Sequence, residues 1–200
     1  MNTILLAGEI SGFKLSHECH GKKFYEFTMN VKRRSGRVDE IPCVVDEDKI
    51  SMSEYDIKDG LKISVFGDAR MRFKKPTVSV QNFYKYTCDK NSVHGTGTVT
   101  GLRRYRKRTI GTVIDFTIIS MRSKKGIDKI PSVAFEKTAD DLNELGKNNQ
   151  KIEIYFEGRI ESRKFENGEK STTVRELTVT NFEIINDTTE KKGDEEHDEH

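Results

Sequence analysis

The sequence predicts an all-β protein made of two tandem five-stranded Greek-key barrels, each with one short helix. Three observations lead to this fold class: the chain length, the balance of apolar and charged residues, and an internal repeat. The 200 residues are too many for one small barrel and suit two domains of about 90 residues each. Hydrophobic and charged residues each make up 34%, so each core is small and many strands must have a solvated face.

The internal repeat defines the two copies. Three segments recur with an offset of 89 residues: 8–12 at 97–101, 27–29 at 116–118, and 38–44 at 127–133. Two later segments recur with offsets of 91 and 99 residues: 63–67 at 154–158, and 78–83 at 177–182. The second copy therefore carries about eight extra residues between its last two strands. We expect a first barrel at 1–86, a linker at 87–92, a second barrel at 93–186 and a disordered acidic tail at 187–200.

Hydrophobic periodicity identifies the elements of each copy. Ile152, Ile154 and Phe156 alternate with polar neighbours, which is the period of a half-buried strand. The alternation shifts by one residue near Thr180 and again between Val80 and Phe83, so we expect a β-bulge at both places.

A short helix is expected between the third and fourth strands. Thr138 followed by Asp141 suits a helix N-cap, Leu142 and Leu145 share one face, and Gly146 is placed to end the helix. The order of strand, strand, strand, helix, strand, strand is that of the OB fold. In that fold the second and third strands and two flanking loops bind oligonucleotides.

The second copy resembles the DNA-binding core of bacterial and phage single-stranded-DNA-binding proteins. The resemblance lies in the hairpin from Gly158 to Phe182 and in Phe135-Glu136-Lys137-Thr138-Ala139, which is similar to the family's Phe-Gly-Lys-x-Ala segment. It covers 93–186 well and 1–86 weakly. It implies that Phe135 lies at the DNA surface, and that two chains of two barrels form a homodimer.

The chain departs from this family at three places. It has no tryptophan, so Phe135 and Phe165 become the expected base-stacking residues. Asp46, followed by Glu47 and Asp48, stands where the second copy has Phe135, and three carboxylates there would repel phosphate. The acidic tail ends without the family's hydrophobic Pro-Phe hook.

Cations interleaved with aromatic residues suit a single strand, because phosphates need positive charge and unstacked bases need aromatic faces. The predicted DNA-binding residues of the first copy are Lys32, Arg33, Arg34, Arg37, Arg72, Phe73 and Lys74. Those of the second copy are Arg103, Arg104, Tyr105, Arg106, Lys107, Arg108, Arg122, Lys124, Lys125, Phe135, Arg159, Arg163 and Phe165.

The charge distribution agrees with a polyanionic partner. The net charge is +2, but residues 187–200 hold seven acidic and two basic residues, which leaves 26 acidic and 33 basic residues in the body, a charge of +7. No apolar run approaches the roughly 18 residues of a membrane span, and the first residues lack the basic region of a secretory signal. With three widely spaced cysteines and no C-x-x-C pair, we expect reduced thiols and a cytoplasmic protein. The family resemblance implies that the cell is bacterial or a phage-infected host.

Catalytic and cofactor sites are not expected. The spacing of Gly95, Gly97 and Gly101 is one residue too long for a dinucleotide fingerprint, and His17, Cys19 and His20 lack a second cluster of zinc ligands. No Ser-His-Asp or paired-carboxylate arrangement is spaced so as to indicate a nucleophile or an acid/base pair. Two other functions stay open beside single-stranded-DNA binding: an adaptor for replication or recombination proteins, and an RNA-binding module. A metal-dependent nuclease is the enzymatic alternative.

Overall fold

The fold is seen in a computed structural model that describes residues 2–72, 75–109, 111–121, 126–147, 151–167 and 170–186. The predicted tail at 187–200 lies outside the described residues. Among the described residues, no helix is long and apolar enough to span a membrane.

The first barrel contains five strands and one helix. They are β1 (Asn2–Cys19), β2 (Lys22–Lys32), β3 (Val38–Asp46), α1 (Glu47–Ser51), β4 (Lys62–Arg72) and β5 (Lys75–Lys85). Antiparallel pairing joins β1 to both β2 and β4, β2 to β3, and β4 to β5, and a short parallel pairing of β3 with β5 closes the barrel.

The second barrel repeats this order and pairing. Its elements are β6 (Lys90–Arg108), β7 (Gly111–Met121), β8 (Ile127–Phe135), α2 (Glu136–Gly146), β9 (Ile152–Asn167) and β10 (Lys170–Asn186). The parallel pair is here β8 with β10. The predicted fold class, two tandem five-stranded OB-type Greek-key barrels with one short helix each, is confirmed.

Alternation along the strands separates a core face from an outward face. Phe27, Met29 and Val31 of β2 are buried, whereas Thr28 and Asn30 between them are half-buried. In β7 the counterparts Phe116 and Ile118 are buried in the same way. Side chains at even positions of β2 and odd positions of β7 therefore form the outward face of each barrel.

Both predicted β-bulges are present. Gly67 pairs with Val80 and Phe66 with Asn82, so Gln81 is the extra residue. In the second barrel Gly158 pairs with Val179 and Glu157 with Asn181, so Thr180 is the extra residue. Beyond the bulge, the β9–β10 hairpin is eight residues longer than the β4–β5 hairpin, since 20 residues separate Gly158 from Val179 and 12 separate Gly67 from Val80.

Helix α2 begins earlier than the sequence predicted. Phe135 is its N-cap residue and makes no side-chain capping bond, while Thr138 lies inside the helix and donates a hydrogen bond to the Thr180 carbonyl at 3.3 Å. Glu136 has a φ of 50°, a left-handed conformation that turns the chain sharply from strand to helix. The family that the second copy resembles has glycine at this position. Glycine has no Cβ atom and adopts a left-handed conformation at less cost than glutamate.

The two barrels join edge to edge through β1 and β6. Six residues of β1, from Asn2 to Ala7, pair antiparallel with β6, and Ile4 lies opposite Val93, its own counterpart in the repeat. The joint therefore has a local twofold symmetry within one chain. β6 begins at Lys90, inside the predicted linker, because residues 90–92 pair with β1.

Two aspartates repeat this symmetry in the contacts between the barrels. Asp39, at the start of β3, accepts a hydrogen bond from the Ser162 amide at 2.8 Å. Its counterpart Asp128 accepts one from the Met71 amide at 2.9 Å. Both carboxylates are almost fully buried, so each barrel fastens the last hairpin of the other.

Candidate nucleic-acid interface

A row of three side chains crosses the outward face of each barrel at equivalent positions, because residues directly opposite on paired strands share a face. In the first barrel the row is His17, Phe24 and Asp46. In the second barrel it is Arg106, Val113 and Phe135. The aromatic residue has thus moved by one strand between the copies, from the third strand in the second barrel to the second strand in the first.

The first barrel presents an aromatic stack on this face. The rings of His17 and Phe24 lie 4.8 Å apart and 11° from parallel, and Phe24 stays half-exposed. Phe13 and Tyr25 form a second parallel stack at 5.3 Å, but both pack against the core. Within the stack of His17 and Phe24, Phe24 is therefore the aromatic ring that the outward face offers to a base.

The three carboxylates expected to repel phosphate in the first barrel all have hydrogen-bond or ion-pair partners. Asp46 caps α1 by accepting a hydrogen bond from the Lys49 amide at 2.9 Å. Glu47 and Asp48 form ion pairs with Lys23 at 3.5 Å and Lys22 at 2.6 Å. The charges of Glu47 and Asp48 are thus partly neutralised by neighbouring lysines.

An open groove of about 720 Å³ runs along the outward face of the first barrel. It is lined by residues of β1 between Gly12 and His17, by 26–28 of β2, by 42–44 of β3, and by Arg72, Lys75, Thr77 and Arg175. Its lining contains four Lys or Arg side chains and a single carboxylate, that of Glu26. The groove is therefore electropositive.

Glu26 is held in its charged form at the groove wall. The Ser16 hydroxyl donates a hydrogen bond to it at 3.0 Å, and Lys14 lies 3.3 Å away. The hydrogen bond from Ser16 and the charge of Lys14 lower the pKa of Glu26 despite partial burial. Arg72 approaches the His17 ring at 3.4 Å, which places its charge beside the stack of His17 and Phe24.

Two described arginines on the outward face of the second barrel lie in ion pairs. The Arg163 guanidinium lies 5.9 Å from the centre of the Phe135 ring and pairs with Glu176 at 3.0 Å. Arg106 pairs with Asp115 at 2.9 Å. The predicted Phe135 is half-buried, at the end of β8 beneath Arg163.

Tyr105 is tied to helix α2. Its hydroxyl donates a hydrogen bond to Asp140 at 2.7 Å, and its ring packs against the core. This bond raises the pKa of Tyr105 and lowers that of Asp140. Phe165, by contrast, is 54% exposed on the β9–β10 hairpin.

The predicted cations of the β2–β3 turn separate into two groups. Lys32, Arg34 and Arg37 are exposed. Arg33 is half-buried between the barrels, where it binds Asp39 at 2.5 Å and Glu161 at 3.1 Å. Its charge therefore contributes to the contact between the barrels.

Glu161 forms ion pairs with arginines from both barrels. It is almost fully buried and lies 2.7 Å from Arg159 and 3.6 Å from Arg163, besides Arg33. Burial opposes its charge, but the guanidinium groups of Arg159, Arg33 and Arg163 outweigh burial and lower its pKa. The predicted residues Arg159 and Arg163 are thus partly neutralised.

The remaining predicted residues are placed only in part. Phe73, Lys74, Arg122, Lys124 and Lys125 lie outside the described residues. Arg103, Arg104 and Arg108 belong to the backbone of β6, and Lys107 beside them is exposed.

Sequence reasoning missed two cations of the groove, Lys14 and Arg175, whereas Lys75 belongs to the basic run around Phe73 that the sequence shows. Lys14 follows the irregularity in the β1–β2 register. Arg175 reaches the groove from the other barrel, and nothing in the local sequence indicates that contact. Within the part of the chain that the structure describes, no three His, Cys, Asp or Glu side chains are grouped to hold a metal ion.

Comparison with known proteins identifies structural relatives only. No protein-family model matches the chain, and no curated protein matches its sequence. A crystal structure of a deletion mutant of the single-stranded DNA binding protein from Thermus aquaticus is similar, with a TM-score of 0.72 at 14% identity over 96% of this chain and 98% of that chain. The wild-type Thermus aquaticus protein gives a TM-score of 0.69 at 14% identity, covering 94% of each chain. At this identity the likeness shows a shared fold, which extends over nearly the whole length of both chains.

Proposed function

We propose that this chain binds single-stranded DNA without sequence specificity, and that it coats and protects exposed strands during replication, recombination or repair. The observation that carries the proposal is the groove of the first barrel, whose lining holds four Lys or Arg side chains and one carboxylate. Such a groove attracts the phosphates of a single strand. Phe24, Phe135 and Phe165 would receive its bases.

The structural relatives support the proposal at the level of the whole chain. Both are named as single-stranded DNA binding proteins, and both match the arrangement of two barrels from end to end. Binding by phosphate neutralisation and stacking needs no cofactor and no chemical step, so we assign the chain no catalytic activity.

Binding to proteins was the main alternative because of the acidic residues beside the first barrel's face. The ion pairs and helix cap formed by Asp46, Glu47 and Asp48 weaken that argument. RNA remains the alternative ligand, since stacking on Phe24 or Phe165 does not distinguish the two sugars.

The proposed assembly is a homodimer with four barrels, acting in the cytoplasm of a bacterial cell or phage-infected host. This part of the proposal rests on the family resemblance. The molar mass measured by light scattering during size-exclusion chromatography tests the assembly: twice 23.0 kDa is expected, and a mass of 23.0 kDa would refute it.

Fluorescence polarisation tests the binding function. A labelled dT oligonucleotide of about 35 nucleotides, long enough to cover two barrels, is compared with RNA of the same length and with duplex DNA across a salt series. We expect tight, salt-sensitive preference for the DNA single strand. Equal or negligible binding to all three ligands would favour the protein adaptor, and preference for RNA would favour the RNA module.

Aromatic substitutions test the stacking contribution. Phe135→Ala and Phe165→Ala should each weaken binding by about 1 to 3 kcal/mol if a base stacks on the ring. Ile184→Ala is the matched control, because Ile184 is also an exposed apolar residue of the β9–β10 hairpin but lies apart from these rings and cations. If all three variants bind equally well, neither phenylalanine is a stacking platform.

A further inference from the structure

Arg175 belongs to the second barrel but lines the groove of the first. It lies on β10 directly opposite Ser162 of β9. This part of the hairpin is fastened to β3 of the first barrel by reciprocal hydrogen bonds: the Glu40 amide donates to the Ser162 hydroxyl at 2.9 Å, and Arg175 Nε donates to the Glu40 carbonyl at 2.7 Å. Arg175 is therefore held in place at the junction of the two barrels.

The charge of Arg175 has no ion-pair partner within the described part of the chain. The Glu40 carboxylate attracts it at longer range but pairs with Lys164 at 2.5 Å. Burial lowers the pKa of Arg175, and the charge of Glu40 offsets this only in part. A half-buried guanidinium with unused N–H donors favours an anion that brings oxygen acceptors.

Arg72 and Lys75 line the same groove, from the β4–β5 hairpin of the first barrel. A guanidinium binds two oxygens of one phosphate with two parallel N–H donors, and an ammonium adds a point charge. We propose that Arg175, Arg72 and Lys75 form a phosphate-binding site for a single nucleic-acid strand, so that a strand in the first barrel's groove contacts both barrels. This inference rests on the proposed function.

Within the described residues, the position of the first barrel that matches Arg175 carries no cation. By the register of the hairpins, Met71 corresponds to Ser162, and the residue opposite Met71 is Pro76. The first barrel therefore presents proline where the second presents Arg175. Because the bound strand bridges the barrels, strand binding and docking of the β9–β10 hairpin on the first barrel must favour each other.

The salt dependence of binding tests the site in the full-length chain, with the labelled dT oligonucleotide as probe. R175Q should reduce the slope of log K against log salt by about 0.7, the value of one phosphate contact on a single strand. It should also weaken binding at low salt about tenfold, as expected for one charge-assisted contact. R175K should restore most of the slope, because lysine keeps the charge.

Lys164→Gln is the matched control, since it removes the other cation that contacts Glu40 but does not line the groove. Its salt slope should equal that of the unmodified chain. A purely structural role of Arg175 would change stability in R175Q and leave the slope unchanged, which would overturn the inference. If the unmodified chain does not bind dT, the proposed function itself fails.

If R175Q does not fold, a second measurement on the unmodified chain tests the inference. In the unmodified chain, ¹⁵N NMR of the arginine side chains should show the Arg175 signals shifting on saturation with dT, as the guanidinium binds phosphate. Unchanged Arg175 signals on saturation would overturn the inference.

Discussion

Two carboxylates that lie directly opposite each other on β9 and β10 have opposite ionisation preferences. Glu161 is surrounded by three guanidinium groups, which lower its pKa in spite of burial. For Glu176, burial raises the pKa, and the attraction of Arg163 only partly offsets it. Cross-strand neighbours with the same charge thus make different contributions to the stability of the fold.

We expect the corresponding glutamine variants to change stability in opposite directions. An acid with a lowered pKa stabilises the fold above the pH at which the unfolded group titrates, and this contribution is lost as the pH falls through the folded pKa. An acid with a raised pKa stabilises the fold only at low pH, and the contribution is lost as the pH rises through the folded pKa. At pH 7, Glu161→Gln should lower the free energy of unfolding by about 1 to 2 kcal/mol, and Glu176→Gln should raise it by up to about 1 kcal/mol.

Urea denaturation at pH 7 and near pH 4 measures both effects. Both differences should shrink near pH 4, where unfolded glutamates begin to be protonated. Destabilisation of the same size by both variants at pH 7 would show that the two carboxylates are equivalent.

Arg33 and Arg37 are neighbours in one basic turn, yet their surroundings differ. Arg33 is bound to Asp39 and Glu161, whereas Arg37 is exposed. Arg33→Gln should therefore lower the free energy of unfolding by about 2 kcal/mol and leave the salt slope of dT binding unchanged. Arg37→Gln should leave the free energy of unfolding unchanged. It should reduce the salt slope of dT binding by about 0.7 if Arg37 contacts a phosphate. Reduction of the salt slope by Arg33→Gln, with stability unchanged, would place Arg33 on the DNA instead.

At the scale of elements, a glycine lies beside each β-bulge, on the partner strand, and allows the two strands to approach closely. A Cβ atom on Gly158 would lie 2.3 Å from the Thr178 carbonyl oxygen, and one on Gly67 would lie 2.2 Å from the Ser79 carbonyl oxygen. Both contacts are with backbone, which cannot move away without disturbing the strand pairing. The repeat of these glycines in the sequence therefore has a steric reason.

Gly158→Ala should lower the free energy of unfolding by about 1 to 3 kcal/mol, as expected for an added methyl group in a packed site. Chemical denaturation of the full chain measures this change. Gly21→Asn is the control, because Gly21 has open space around its Cβ position and a left-handed φ of 73° that asparagine tolerates. If Gly158→Ala is as stable as the unmodified chain, the strands separate more easily than this packing indicates.

The elements that could be predicted are those determined by neighbours in the sequence. Strand alternation located the cores and both bulges, because the side chains of a strand alternate between two faces. The start of α2 could not be predicted, since it depends on the left-handed backbone of Glu136. For the candidate site, Phe165 was identified as exposed aromatic surface, but Arg175 was not, because its groove is formed by a distant part of the chain.

At the scale of the whole molecule, the joint between the barrels is a symmetric structure made by one chain. The central pair Ile4 and Val93 consists of repeat counterparts, and on either side Asp39 and Asp128 each hold a backbone amide of the opposite barrel. Strand pairing alone would leave the long hairpins unattached. The buried aspartates therefore hold the barrels together at two points beyond the paired edges.

Removing either aspartate should make the two barrels unfold separately. Asp39→Ala leaves the Ser162 amide without its acceptor and takes one carboxylate from Arg33, which should cost about 2 to 4 kcal/mol. Asp128→Ala should act in the same direction through the Met71 amide. Differential scanning calorimetry should then resolve two transitions in each variant, whereas docked barrels in the unmodified chain should unfold in one. A single transition at unchanged temperature in both variants would mean that the β1–β6 pairing and the remaining hairpin contacts couple the barrels without these aspartates.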